Sequence, residues 1–183
     1  NITVEVLDPF GFSVTDSTKK PRNFLERTGN QLHNNTSNWA IRNLLLFKKN
    51  KHLDTLLLKD SKRIIRSQKY VRRVEMDATF ISEKSDSIDI HIKVLDSWST
   101  VPDFATSTNK STFKLNEYNF LGFGHQLKNS YQKSLTNNDN AYSVDYIVPN
   151  IKNTYISTTL SYNIDLDVDY ANSFAVERPF IAS

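Results

Sequence analysis

Val74-Glu75-Met76-Asp77-Ala78-Thr79-Phe80 and, after the polar turn Ser82–Ser87, Ile88-Asp89-Ile90-His91-Ile92-Lys93-Val94 decide the fold of the first half of the chain. Val74, Met76, Ala78 and Phe80 alternate against Glu75, Asp77 and Thr79, and the second run repeats the pattern. Successive side chains of an extended strand point to opposite faces, so strict period two leaves one apolar face and one polar face. The stretch therefore reads as an antiparallel hairpin, half-buried against something on one side.

Working outward, the cover for that hairpin lies upstream. Asp54 is a good N-cap for a helix over roughly 55–68, with Leu57, Leu58, Ile64 and Ile65 on its apolar face. Thr36-Ser37 offers another cap, and Ile41, Leu44 and Leu45 recur at helical spacing, although Leu44–Phe47 fits a strand equally well. Asn50 stands where that helix has to end and the chain turn, and asparagine tolerates the left-handed conformation. Residues 9–35 form an irregular polar stretch that accommodates a short helix over Phe24–His33, and Ile2–Leu7 alternates enough for one more strand. The expected order is strand, helix, helix, strand, strand, an α+β module ending at Trp98.

After Trp98 the chain reads as β throughout, punctuated by Asn, Asp and Ser turns. Tyr142, Val144, Tyr146 and Val148 alternate with polar residues. So do Ile156, Thr158, Leu160 and Tyr162, and then Ile164, Leu166, Val168 and Tyr170. Runs of about 8–11 residues suit tilted strands that cross a bilayer, with tyrosines near their ends as an interfacial girdle. Soluble sandwiches share the periodicity, which leaves both architectures open.

Bulk properties exclude more than they identify. Mean hydropathy is −0.50, and the longest apolar runs are as short as Leu44-Leu45-Leu46-Phe47, far below the roughly 20 residues of a spanning helix. The net charge of +3 comes from lysines and arginines mixed with nearly as many carboxylates. The cluster Lys59, Lys62, Arg63, Arg66, Lys69, Arg72 and Arg73 reads as a solvated helix face and not a nucleic-acid surface. The 183 residues contain no cysteine, which removes disulfides, thiolate metal sites and cysteine nucleophiles. The opening Asn1–Val6 is already strand-like and carries no signal-peptide pattern, so the reading is of a piece of a longer exported protein.

Two motif sets carry a family resemblance. Ile41-Arg42-Asn43-Leu44-Leu45-Leu46-Phe47, Leu53-Asp54, Asp60-Ser61-Lys62-Arg63-Ile64-Ile65-Arg66 and Tyr70-Val71 resemble the POTRA domains of the outer-membrane protein assembly factor superfamily, the BamA- and TamA-like surface antigens. Asn50-Lys51 stands where that family has Gly-Asp, and Asp60 where it has glutamate. Val94-Leu95-Asp96-Ser97-Trp98-Ser99 is similar to the family's D-x-W-S exit from the POTRA domain. Downstream, Asn119-Phe120-Leu121-Gly122-Phe123-Gly124 resembles the turn joining the first two barrel strands. Tyr146–Pro149 looks like the end of the third, and Arg178-Pro179-Phe180 follows a later strand. The family's V-R-G-[FY] tetrapeptide is absent from these residues.

The resemblance implies a POTRA-like domain over 1–98 facing the periplasm, then the first strands, about five, of an incomplete transmembrane β-barrel over 99–183. Its marker residues would be Arg42, Leu46, Phe47, Arg63, Arg66 and Tyr70 in the POTRA motif, Asp96 and Trp98 at the junction, and Asn119, Leu121, Gly122 and Gly124 in the barrel turn. The implied activity is insertion or translocation of unfolded outer-membrane or secreted polypeptides, by strand addition to the POTRA sheet and through a lateral barrel seam. The expected partners are those clients, outer-membrane lipid and accessory periplasmic or lipoprotein subunits. Phe104–Leu115, with Phe104, Thr106, Thr108, Lys110 and Thr112, is the expected seam strand: Ser/Thr-rich, weakly apolar and loosely registered. Two alternatives stay open, a translocator barrel for a secreted patatin-like enzyme and a soluble periplasmic β-rich binding or structural protein.

No catalytic centre, metal or cofactor is expected. Asp165-Leu166-Asp167-Val168-Asp169 opens like a calcium loop, but Tyr170 and Val176 occupy the positions that need glycine and glutamate. Alternation along a strand is the better account of the three aspartates. His33, His52, His91 and His125 share no metal-ligand spacing, and neither a G-x-S-x-G elbow nor a phosphate-binding glycine loop is present.

Overall fold

The structure, a computed structural model, describes residues 1–81, 87–137, 139–151, 154, 156–166 and 169–178. It divides into two units, Asn1–Trp98 with Leu121–Phe123, and Ser99–Phe120 with Gly124–Ser183. Strands hold far more of the described residues than helices do, and all but one of the strand pairings are antiparallel.

The first unit runs β1 (Ile2–Leu7), α1 (Phe24–Leu32), α2 (Asn38–Arg42), α3 (Thr55–Arg66), β2 (Val71–Phe80) and β3 (Ile88–Asp96). Its sheet has the order β1-β3-β2, with β1 parallel and β2 antiparallel to the central strand. Register lines up Val4, Ile92 and Met76 in one row, and Val6, Val94 and Val74 in the next. That apolar face meets Ile41, Leu44, Leu45 and Phe47, together with Ile65 of α3, in one buried core. The alternation at 74–80 and 88–94 thus buries one face, and the parallel partner β1 closes the far edge of β3.

Helix termini follow the chemistry of their caps. Asp54 accepts from the Leu56 N–H at 2.8 Å, and Ser37 accepts from the Ala40 N–H at 3.2 Å, each satisfying a first-turn donor. Asn23 does the same for α1 through the Glu26 N–H. Three helices precede the hairpin: the short helix expected over Phe24–His33 forms as α1, ending at Leu32, although the expected element order counted only the two after it. The helix from Ser37 stops at Arg42, since Asn43 caps it and Leu44 and Leu45 turn down into the core as neither helix nor strand. Asn50 does adopt the left-handed region, with φ 60°, in the loop before α3. The helix expected over 55–68 ends at Arg66, capped by Ser67.

The second unit is a six-stranded antiparallel meander: β4 (Thr100–Thr106), β5 (Lys110–Phe120), β6 (His125–Ser134), β7 (Asn140–Val148), β8 (Ser157–Ile164) and β9 (Tyr170–Glu177), paired in sequence order. Three expectations change here. The strand expected over Phe104–Leu115 is a hairpin: Thr106 pairs with Ser111, and Ser107-Thr108-Asn109 turn the chain, with the Ser107 N–H donating to the Lys110 carbonyl at 2.8 Å. Short hydroxyl side chains that bond their own backbone favour such a turn, and they also erased the periodicity that would have revealed it. The sheet consequently has six strands, not about five. The Asn119–Gly124 turn joins its second and third strands, and Tyr146–Pro149 closes its fourth. Asp165 and Asp169 lie between β8 and β9 and not in a strand: the Asp165 N–H donates to the Asp169 carbonyl at 2.9 Å, and the Asp169 N–H to the Asp165 Oδ1 at 3.0 Å. Asp167, Val168, Pro179, Phe180 and the turn residues 82–86 lie outside the described residues.

Candidate functional site

Cross-strand register sorts the second unit's side chains onto two faces of opposite character. One row reads Phe104, Phe113, Tyr131, Tyr142, Ile164 and Tyr170 from β4 to β9. The row at the next position on that face reads Pro102, Leu115, Asn129, Val144, Tyr162 and Asn172, and the one after it Thr100, Glu117, Leu127, Tyr146, Leu160 and Phe174. The opposite face carries Lys114, Ser130 and Ser143 in one row, and Asn116, Lys128, Asp145, Ser161 and Ser173 in another.

The apolar face is exposed. Phe104, Phe113, Leu115, Tyr131, Leu160, Tyr162, Tyr170, Phe174 and Val176 are all exposed. A water-soluble sheet leaves its polar face in solvent and buries the other; a contiguous apolar face of this extent marks an interaction surface. Several of its polar members bond one another or the adjacent backbone. Thr100 donates to the Glu117 carboxylate, whose other oxygen accepts the Asn119 N–H at 2.8 Å. The Tyr142 hydroxyl donates to Asn129 at 3.3 Å. The polar face is a shallow trough of about 370 Å³ lined by Lys114, Lys128, Ser130, Ser143 and Asp145 among others.

Among the described residues the sheet has two unpaired edges, β4 and β9. Pro102 sits in β4, where a residue without an N–H is tolerated because one side of the strand has no partner. Of the residues expected in a seam, Phe104 and Thr106 lie on this edge strand, Thr108 in the turn after it, and Lys110 and Thr112 on β5. They are two adjacent strands, with only the first at the edge.

The β5–β6 turn is built tightly. Fully buried Asn119 accepts the Gly124 N–H at 2.8 Å through its side-chain oxygen. Leu121 is held at φ 53°, Gly122 at 77° and Gly124 at 71°. Leucine in the left-handed region costs about 1–2 kcal/mol, and surrounding structure has to impose it. Leu121–Phe123 group with the first unit. There the Ser37 N–H donates to the Gly122 carbonyl at 2.8 Å, and Phe123 meets Trp39 edge to face at 6.4 Å. A Cβ on Gly122 would fall 2.3 Å from the Asn35 carbonyl oxygen, so only glycine fits.

At the end of β3, Asp96 is fully buried and receives three hydrogen bonds. They come from His33 Nε2 at 3.0 Å, the Thr36 N–H at 2.8 Å and the Thr36 hydroxyl at 2.9 Å. Trp98, half-exposed, lies 6.1 Å from the Phe10 ring and 6.3 Å from His33. Tyr70 is buried beside this group. Burial, and secondarily the Asp96 charge, pushes its phenol far above the ordinary range, and its carbonyl accepts the Ser97 N–H at 2.8 Å. The remaining marker residues have structural roles. Arg42 donates to the Ile2 carbonyl at 2.7 Å, the Leu46 N–H donates to Ser61 at 2.9 Å, and Phe47 is core. Arg63 and Arg66 are exposed on α3, Arg63 loosely paired with Asp60 at 3.5 Å. His33 and Thr36 were missed as a unit with Asp96, because 63 residues separate His33 from its partner and no local pattern links them.

Among the described residues no three His, Asp or Glu side chains converge on a position for a metal ion, and no helix is long and apolar enough to cross a membrane. No family model matches the chain, and no curated protein sequence does. Solved structures do. The crystal structure of BamA from Haemophilus ducreyi lacking POTRA domains 1–3 matches 88% of this chain at 16% identity with a TM-score of 0.58. CdiB from Acinetobacter baumannii matches 72% at 18% identity with a TM-score of 0.48. The chain spans 27% of the BamA chain and 26% of the CdiB chain. The likeness to BamA shows a shared fold over most of these residues.

Proposed function

We propose that this chain is part of an outer-membrane protein of the BamA- and TamA-like assembly and translocation type, with a POTRA-like periplasmic domain over 1–98 and the first barrel strands over 99–183. The observation that carries the proposal is the six-stranded sheet whose apolar face is uncovered and whose other face is polar. A transmembrane barrel has this arrangement, with an apolar band toward lipid and a polar lumen. A soluble sandwich would cover the apolar face with a second sheet. The shared fold with BamA supports the same reading.

In this reading β4 is the barrel's first strand and its outer edge the lateral seam, since backbone groups there have no partner within the sheet. Six strands cannot close in a bilayer, so the barrel is completed by further strands of the protein. Clients are unfolded polypeptides that add a strand to the POTRA-like sheet or to the seam edge. Lipid contacts the apolar face, and accessory periplasmic or lipoprotein subunits complete the machine. The role is binding and guidance without covalent chemistry.

The test is a reversible lock in the full-length protein. A cysteine replacing Ala105 on β4 is paired with one on the barrel's closing strand, and client insertion into the outer membrane is followed before and after reduction. The reading expects insertion to stop when oxidised and to resume on reduction. Full activity in the locked form overturns it.

A further inference from the structure

Helix α1 is amphipathic the wrong way round for a water-soluble surface. It buries none of its nine residues. Asn30 ties it to the body of its unit, accepting the Phe10 N–H at 3.1 Å and donating to the Phe10 carbonyl at 2.9 Å. Gly29 lies flat on the Phe10 ring, where a Cβ would come within 2.8 Å of two ring carbons. The polar side therefore faces inward. Phe24, Leu25 and Leu32 share an arc of about 100° at 3.6 residues per turn. That arc faces outward, leaving the three side chains 78%, 78% and 72% exposed. Ordinary surface helices turn such a stripe toward the core.

Two further observations identify what covers it. An open apolar groove of about 380 Å³ continues the stripe past Phe10 to Trp98. Trp98 stands two positions before Thr100, where β4 begins, a chain length of about 7 Å at most. Tryptophans collect at membrane–water boundaries, where an apolar ring and a polar N–H are both accommodated. The second observation is charge. Lys19, Lys20, Arg22 and Arg27 flank the stripe and are exposed. The carboxylates among them are engaged locally, Asp16 by Thr18 at 2.6 Å and Glu26 by the Arg22 N–H at 2.7 Å. An apolar stripe edged with exposed cations suits an interfacial helix lying on phosphate headgroups.

We infer that α1 is a monotopic membrane anchor, inserting Phe24, Leu25 and Leu32 into the leaflet on the side where the chain enters β4. The inference rests on the reading of β4–β9 as bilayer-spanning. It gives the first unit a lipid contact of its own, through a helix that contributes nothing to that unit's core.

Spin labels on the full-length protein in nanodiscs of phosphatidylethanolamine and phosphatidylglycerol test it. Labels at Leu25→Cys and Leu32→Cys are compared with Leu160→Cys on the apolar sheet face and Lys59→Cys on α3. The anchor predicts that the labels at 25 and 32 collide with oxygen more often than with an aqueous nickel chelate, as at 160, and that the ratio inverts at 59. Water-like behaviour at 25 and 32 with lipid-like behaviour at 160 overturns the anchor alone. Water-like behaviour at 160 overturns the barrel reading and the anchor with it. Immobile labels at 25 and 32, shielded from both reagents, overturn the lipid assignment in favour of a protein partner.

Discussion

Phe104 stands directly across the β4–β5 pair from Phe113, and the two rings are 66% and 46% exposed. Aromatic cross-strand pairs stabilise sheets by packing, but here no described residue covers the two rings, and the row runs on through Tyr131 and Tyr142 to Tyr170. In the proposed barrel this row faces lipid.

The two faces therefore respond oppositely to charge. Leu160→Lys or Phe174→Lys is expected to cost about 2–4 kcal/mol if the position is near the bilayer midplane. Ser161→Lys, one residue on and on the polar face, is expected to stay within about 1 kcal/mol. Equilibrium refolding of the full-length variants into lipid vesicles reads the difference.

The Asp96 cluster sets the stability of the first unit. Asp96→Ala removes the acceptor for His33 and Thr36 together and leaves buried donors unpaired, which is expected to cost about 3–5 kcal/mol. Asp60→Ala, at an exposed ion pair on α3, is expected to cost less than about 0.5 kcal/mol. Denaturant titration followed by tryptophan fluorescence checks both.

Gly122→Ala places a methyl group against the Asn35 carbonyl at a left-handed backbone position. The expected result is loss of the Ser37 N–H to Gly122 hydrogen bond, seen as faster hydrogen exchange at Ser37 than in the parent protein. Unchanged protection at Ser37 would show that the turn is not held there.

A hydrogen bond from Lys62 at 2.8 Å, reinforced by Arg73, holds the Glu75 carboxyl below the usual carboxylate range. A lowered folded pKa stabilises the protein above the unfolded value and loses that contribution as pH falls through the folded one. Glu75→Gln is expected to lower Tm slightly at about pH 7, by the equivalent of about 0.2–1 kcal/mol for this half-exposed pair. The gap between variant and parent should close below about pH 4. Thermal melts across that range measure it.

How legible these features were in the sequence depended on how local their physics is. The 74–80 and 88–94 alternation and the caps at Ser37 and Asp54 are set by neighbours a few residues apart, and each was readable. The β4–β5 hairpin was hidden because Ser107, Thr108 and Asn109 sit in a run of small polar residues with no period on either side of the turn. Asp165-Leu166-Asp167-Val168-Asp169 misled in the opposite way: the alternation imitates a strand, while Asp165 and Asp169 hydrogen-bond each other outside any strand. His33 and Asp96 meet only in the folded unit. The two-faced sheet was half readable, since alternation showed which residues share a face and only the register showed that the apolar face has no cover.

That uncovered face is the centre of the account, and β8 tests it most directly. Single spin labels at 158 to 163 in the full-length protein in nanodiscs report oxygen and nickel-chelate collisions residue by residue. The account predicts period-two alternation, with Thr158, Leu160 and Tyr162 in lipid and Thr159, Ser161 and Asn163 reached from water. Equal access of the aqueous reagent to Leu160 and Ser161 would contradict it.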